Sequence, residues 1–352
     1  GLQHTQGSKD ESFPLETVKE ALKDERLTQL ICRVLLLSKD AKKPYPHLLS
    51  AAATLKDSKR ATLFLKIFRK VYDDYENHLQ STHSIDFTDM VNNATELVSG
   101  GRYSRVFSHI LIDEFQDVSQ SRLDLVKELL GRNQKCTVFA VGDDWQSINR
   151  FAGSDVGVIR EMSERLGRYV QVREIKETFR HSLQVAQLAS QFILKNPIQM
   201  PKTVNARSNR TAHIFTLRNT PGQHDALKRA LNSIDDMDGE EKSVLVLSRA
   251  RIESLGEEFG IRDQEYPSLK IKVSTIHRSK GLEADHVIII AYPFRKKRGT
   301  FPSKMKEDSI VEMCLPPATG FPFEDERRVF YVALTRTRET LWIIAQSGEP
   351  SE

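Results

Sequence analysis

The sequence predicts an α/β protein built from two lobes, each a parallel sheet flanked by helices, with a helical segment in front of them. Two observations carry this. From about Val106 onward, short β-branched or aromatic runs alternate with amphipathic segments, the order strand, helix, strand. Those runs are apolar almost throughout rather than at every second residue, as strands covered on both faces require. A third observation sets the front apart: from Pro14 to about Leu79, apolar residues recur at helical spacing.

Element by element, Leu27, Leu30, Ile31, Val34 and Leu35 form one helical stripe, and Leu63, Leu65, Ile67, Phe68, Val71 and Tyr72 form another. The stretch Asp40 to His47, with Pro44 and Pro46, breaks them. Then follow FSHILID as a strand, VSQSRLDLVKELL as a helix, CTVFAVGDD as a strand, VGVIREMSERL as a helix, YVQVREI as a strand and LQVAQLASQFIL as a helix. The second lobe reads KSVLVLSRA, LKIKVSTIH, HVIIIAY, ERRVFYVALTRT and a last strand LWIIA. The expected organisation is a disordered or tag-like terminus over 1–13, a helical insertion over 14–83, the rest of a first lobe over 84–168 and a second lobe with only a short insertion over 169–352.

Composition narrows the class. The 352 residues are 39% hydrophobic and 28% charged, ordinary for a folded globular chain and unlike disorder or fibre. No run reaches eighteen apolar residues and no leader pattern opens the chain, so a cytoplasmic location without a membrane partner is expected. Cys32, Cys136 and Cys314 lie far apart and in no CxxC pair, which suggests reduced thiols rather than a disulfide framework or zinc site. A net charge of +4 suits a polyanion partner and a slightly basic housekeeping protein equally well.

The strongest motif is HILIDEFQD, 109–117. Apolar residues run directly into Asp113 and Glu114, at the carboxyl end of a strand, where open α/β sheets bind ligands. Paired acids there either cap the next helix or form a site. The next strand ends in Gly142, Asp143, Asp144 and Gln146, so polar groups gather at the same edge of one sheet, which favours a site.

DEFQD followed by VGDDWQSI resembles motifs II and III of the superfamily 1 helicases of the UvrD/Rep type. The remaining motifs appear in family order: IDFTDMV before motif II, KETFRHS as motif IV, STIHRSKGLEADHVII as motif V and ERRVFYVALTRTR as motif VI. The resemblance covers about residues 84–345, and GDDWQSI, FAGSD, LPP, FP and DERR are nearest to the helicase IV branch. It implies RecA-like P-loop motor lobes using ATP and Mg2+, with single-stranded DNA as partner.

Carried over by position, the resemblance implies that Asp113 holds Mg2+ and Glu114 activates water. Gln146, Arg180 and Arg336 would meet the γ-phosphate, the arginines as fingers whose planar charge grips phosphate oxygens. Phe179 would stack on adenine and Glu283 would face the ribose, with Lys280 and Gly281 beside the nucleotide. Thr275 and His277 would touch DNA, and Trp145 and Phe151 would offer stacking faces for bases. Where the family has a tyrosine this chain has Asn149, which weakens one such platform.

No GxxxxGK[ST] phosphate loop occurs in the chain. The first lobe is therefore expected to be incomplete and the chain a fragment whose partner is an amino-terminal segment of the same protein; alone it is expected not to turn over ATP. Only about two dozen residues separate VLVLSRA from motif V, a compact arrangement. The basic run FRKKRG, 294–299, is either a phosphate-backbone contact or a solvated charge run. The leading expectation is an ATP-dependent 3′-to-5′ DNA translocase or helicase. The alternatives are a helicase-like RNA polymerase-binding factor that does not unwind, and a helicase–nuclease repair subunit.

Overall fold

The computed structural model describes residues 15–207, 212–219, 225–239, 241–294, 301–303 and 307–346. In chain order the elements are α1 (Leu15–Ala21), α2 (Glu25–Asp40), α3 (Tyr45–Ala53), α4 (Ser58–Ser81), α5 (Phe87–Ser99), β1 (His109–Ile112), α6 (Gln120–Gly131), β2 (Thr137–Ala140), α7 (Val156–Arg160) and α8 (Met162–Leu166). They continue as β3 (Glu177–Thr178), α9 (Leu183–Ile193), β4 (Asn205–Ala206), β5 (His213–Asn219), α10 (Asp225–Asp235), β6 (Lys242–Ser248), α11 (Leu255–Phe259), β7 (Leu269–Thr275), β8 (Ala284–Ile290), α12 (Ser309–Glu312), α13 (Glu324–Leu334) and β9 (Thr337–Gln346). The α/β class with parallel sheets flanked by helices is what the sequence predicts.

The chain forms two compact units. The first comprises 1–141, 149–158 and 307–317; the second comprises 142–148, 159–306 and 318–352.

In the first unit, α2, α3 and α4 enclose a core of Ile31, Val34, Leu48, Leu65 and Phe68. The break between α2 and α3 sits at 41–44, with Pro44 as N-cap and Pro46 inside the first turn of α3, where a missing N–H costs nothing. A segment from far along the chain joins this core: Ile310, Val311, Cys314 and Leu315 are buried in it. Arg33 grips Glu307 and Arg60 grips Asp308, each through two guanidinium nitrogens. Nothing in the local sequence around 307–317 signals this, because its partners lie 274 and 248 residues away in the chain.

Lys39, at the end of α2, is buried against three carboxylates, Glu76 at 2.7 Å, Asp86 at 2.8 Å and Asp89 at 2.7 Å. Asp86 also caps α5 in a reciprocal box with Asp89. One ammonium thus ties α2, α4 and α5 together. Beyond them β1 and β2 pair in parallel, Leu111 opposite Phe139.

The second unit holds a five-stranded parallel sheet of order β5-β9-β8-β6-β7. Its strands explain their apolar runs: Val244 and Val246, Ile288 and Ile290, Trp342 and Ile344 face one core, whereas Leu245 and Leu247, Val287 and Ile289, and Leu341 face another. Helix α10 closes the first side, α9 and α13 the second.

One expected strand is absent. YVQVREI has no sheet beside it: 169–176 is irregular, Tyr169 is 90% exposed and Ile175 82%, and only Glu177–Thr178 pairs, with β4. Without a neighbouring strand to satisfy its N–H and C=O groups, β propensity alone does not make a strand. The basic run beyond Phe294 lies outside the described residues. Among the described residues no helix is long and apolar enough to cross a membrane.

Candidate functional site

Two groups of polar side chains stand at strand ends, one in each unit. In the first unit, Asp113 and Glu114 follow β1 directly and are exposed. The backbone N–H of Glu114 donates to Asp113 Oδ1 at 2.8 Å, and Gln116 donates to the Glu114 carboxylate. Glu114 adopts a left-handed backbone, φ 50, unusual for a residue with a Cβ. That turn ends the strand's alternation and sets Glu114 at the N-cap position of the short 3-10 turn 115–117. Asn149 donates to Asp117 at 3.0 Å, and Phe151 is 48% exposed nearby in the chain.

The second group is assembled from four loops of the second unit. Arg336 leaves the C-terminus of α13 almost fully buried, 1% exposed. It donates from Nε to Val332 O at 2.8 Å and from Nη2 to Gln146 Oε1 at 3.2 Å and to Thr335 Oγ1. All these acceptors are neutral. Burial, then the charge of Arg180, lowers its pKa to about 10, so it keeps its proton at neutral pH. Arg180 reaches Glu283 Oε2 at 2.9 Å, and Arg338 holds the other oxygen of Glu283, keeping that carboxyl below its ordinary range. Phe179, next to Arg180, is 76% exposed, an open aromatic face.

Gln146 is oriented by what lies behind it. Its Nε2 donates to Asp143 Oδ2 at 2.6 Å, leaving Oε1 for Arg336. Gly281 occupies φ +84 in the turn from Lys280 into β8, a conformation that favours glycine. Thr275 ends β7, and its Oγ1 accepts from the Arg278 N–H. His277 is held neutral, its pKa lowered to about 4 by burial and by Arg249. Chemically, the buried guanidinium of Arg336, resting on neutral acceptors and steadied by the Gln146 carbonyl, has the charge to meet an anion, and Arg180 adds a second guanidinium that is paired with Glu283.

One expected residue is corrected. Trp145, expected as a stacking face for bases, has no exposed surface; its indole N–H donates to Met200 O at 3.0 Å and its ring meets Tyr331 edge-on at 5.3 Å. It packs in the core beneath the sheet and offers no face to a ligand.

The sequence reading also missed three residues that build this group. Arg328 is buried and donates to Ser147 O at 2.8 Å and Gln199 Oε1 at 3.0 Å. Lys202 contacts Asp143 and Asp144. Arg338 holds Glu283. Arg328 and Arg338 stand inside motifs already singled out, but Lys202 is a lone loop lysine with no signal in its neighbours.

Residues 4–167 match the model of the UvrD/REP helicase N-terminal domain. The chain is 34% identical to DNA helicase IV of Escherichia coli over 290 residues, 82% of this chain and 41% of that protein. It is 24% identical to a probable DNA helicase of Mycoplasma pneumoniae, covering 78% of this chain and 51% of that one. It is 27% identical to the ATP-dependent DNA helicase Rep of Salmonella typhimurium, covering 60% and 31%. The chain therefore spans about half or less of the curated relatives it matches. With these motifs in place on these strand ends, the chain belongs to the UvrD/Rep helicase family.

Proposed function

We propose that this chain is part of an ATP-dependent 3′-to-5′ single-stranded DNA translocase or helicase. The observation that carries the proposal is Arg336: a buried guanidinium resting on neutral acceptors, with Arg180 adding a second positive charge in the same unit. A fold gains little from holding such a cation in its interior unless an anion arrives to meet it. In this reading Arg180, Arg336 and Gln146 receive the terminal phosphate of ATP, Phe179 stacks on the base, and Glu283, Lys280 and Gly281 lie along the nucleotide. Thr275, His277 and Phe151 serve the DNA strand. The resemblance supports the 3′-to-5′ polarity and the single-strand preference.

Asp113 and Glu114 supply the acid side of the chemistry. Asp113 is an exposed carboxylate at a strand end, the hard oxygen donor that Mg2+ accepts directly or through water. The ion would neutralise phosphate charge; Glu114 would take a proton from the attacking water.

A partner segment from the same protein is supported by the sheet of β1 and β2. Two parallel strands leave one face open, with Leu111 75% and Phe139 65% exposed. Parallel sheets are stable when both faces are covered. Further strands and a phosphate-gripping loop would complete this lobe, at the place where the sequence resemblance calls for them.

The test is the intact gene product assayed for ATPase with and without single-stranded oligonucleotides. DNA-stimulated turnover that disappears in Glu114→Gln is the expected result. Absence of stimulation in the wild type, with co-purification of RNA polymerase instead, would overturn the proposal in favour of the polymerase-binding alternative.

A further inference from the structure

We infer that Lys202 is a positioning residue that sets the orientation of Gln146 through Asp143, and thereby the discrimination between nucleotides with and without a terminal phosphate. The inference rests on the nucleotide reading above. Its basis is a chain of contacts inside the second unit that the motifs do not include.

Asp143 and Asp144 are adjacent carboxylates just after a strand, a pairing that like-charge repulsion disfavours. One ammonium joins them: Lys202 Nζ lies 2.5 Å from Asp143 and 2.7 Å from Asp144. It also stands 4.7 Å above the Trp145 ring, so its position is fixed from three sides. Burial would lower the pKa of this lysine, but the two carboxylates outweigh burial and raise it, so the charge is permanent near neutrality.

The consequences divide between the two acids. Asp144 is 1% exposed and turns its other oxygen to Gln199 Nε2 and the Met200 N–H, which fastens the 199–202 loop. Gln199 in turn accepts from Arg328. One oxygen of Asp143 accepts from Lys202 and from the Trp145 N–H, and the other accepts from Gln146 Nε2 at 2.6 Å. That bond decides which end of the Gln146 amide faces Arg336, since the nitrogen is taken and the oxygen is left.

Without the lysine, Asp143 loses the ammonium it shares with Asp144 while standing one hydrogen bond away from the Gln146–Arg336 pair. Its field already acts on Arg336. It would then compete with a phosphate for that guanidinium and release the amide from its set orientation. The effect belongs to the terminal phosphate, because only Gln146, Arg180 and Arg336 are assigned to it.

The experiment compares ADP and ATPγS binding to the intact protein carrying Lys202→Met or Lys202→Arg. For Lys202→Met, ADP affinity stays within about twofold of wild type while ATPγS binding weakens about tenfold; Lys202→Arg restores most of it. Titration stoichiometry corrects for any misfolded fraction. Equal weakening of both ligands, or no change in either, overturns the positioning role. A wild type that binds neither nucleotide overturns instead the function on which it rests. In the 352-residue chain with Trp342→Phe, Trp145 is the remaining tryptophan. Its emission shifts in Lys202→Met if the ammonium is seated on its ring, and an unchanged spectrum removes the geometric basis.

Discussion

The guanidinium of Arg336 donates to the side-chain carbonyl of Gln146 across 3.2 Å, while Arg328, two turns earlier on α13, donates to the backbone carbonyl of Ser147 across 2.8 Å. Both arginines hold segment 144–147, yet their charge environments differ. Arg328 has carboxylates at hand, Asp325 and Glu324, and Arg336 has neutral acceptors.

Replacing them should therefore separate stability from function. Arg328→Ala strands buried acceptors and two acids, and we expect a loss of about 3–5 kcal/mol in the second unit. Arg336→Met removes a buried cation without a contacting carboxylate and should cost no more than about 1 kcal/mol. In the intact protein the same Arg336→Met change should lower ATPase kcat by about a thousandfold. Urea midpoints and steady-state kinetics check both. An Arg328→Ala chain as stable as wild type would refute the structural half, and an active Arg336→Met protein the functional half.

Acidification should weaken the second unit. Burial lowers the pKa of His181 to about 4, helped by Arg180 and Arg336, and lowers His277 to about 4, helped by Arg249; His286 is lowered too. These groups stay neutral when folded but take a proton at their ordinary pKa of about 6.5 when unfolded. The unfolded chain thus binds more protons between pH 6.5 and 4, and stability falls as pH falls through that window. His181 and His277 each account for up to ~3 kcal/mol of that loss. Thermal midpoints from pH 7.5 to 4.5 measure the slope, and His181→Phe should flatten it; an unchanged slope would show that burial does not hold this imidazole neutral.

Glu114 sits at φ 50, where a side chain with a Cβ is strained. A β-branched residue fits that conformation worst, so Glu114→Val should destabilise the first unit by about 1–2 kcal/mol. Glu114→Gly should hold or raise its stability, since glycine enters the left-handed region freely. Neither variant keeps the carboxylate, so neither should hydrolyse ATP in the intact protein. Equal stability of the two variants would place the backbone outside the left-handed region.

What the sequence made legible follows from how local each cause is. The strands of the second unit were readable because Val244–Leu247 and Val287–Ile290 are buried on both faces, which writes itself as an unbroken apolar run. Asp113, Gln146, Arg180 and Arg336 could be singled out as candidates because each stands inside a motif. Trp145 misled because a tryptophan beside polar strand-end residues reads the same whether it points outward or beneath the sheet. Lys202 and the 307–317 segment were illegible for the opposite reason: their partners lie 58 or more residues away in the chain, and no local pattern records a contact of that kind. The 169–176 run shows the limit of propensity, for its β-rich composition meets no neighbouring strand.

The Lys39 cluster predicts that the cost of losing one lysine shrinks as the pH falls. Burial would lower the Lys39 pKa, but bonds to Asp86, Asp89 and Glu76 outweigh it and raise it. Burial would likewise raise Asp86, yet bonds from Lys39, the Asp89 backbone and Tyr75 hold its carboxyl below the ordinary value. The stability that Asp86 adds is thus present above pH 4 and lost as pH falls through its folded pKa. Lys39→Met leaves three carboxylates facing one another and should cost the first unit about 3–5 kcal/mol at pH 7.5. In that variant mutual repulsion pushes the carboxyls upward, so they protonate more readily in the fold than in the unfolded chain. Acid then relieves the variant while the wild-type cluster keeps its Asp86 contribution above pH 4, and the gap between their urea midpoints narrows from pH 7.5 to 4.5. The histidine effect belongs to the other unit and is common to both proteins, so it cancels in the difference. A gap that stays constant or widens on acidification would mean that the three acids do not share the lysine.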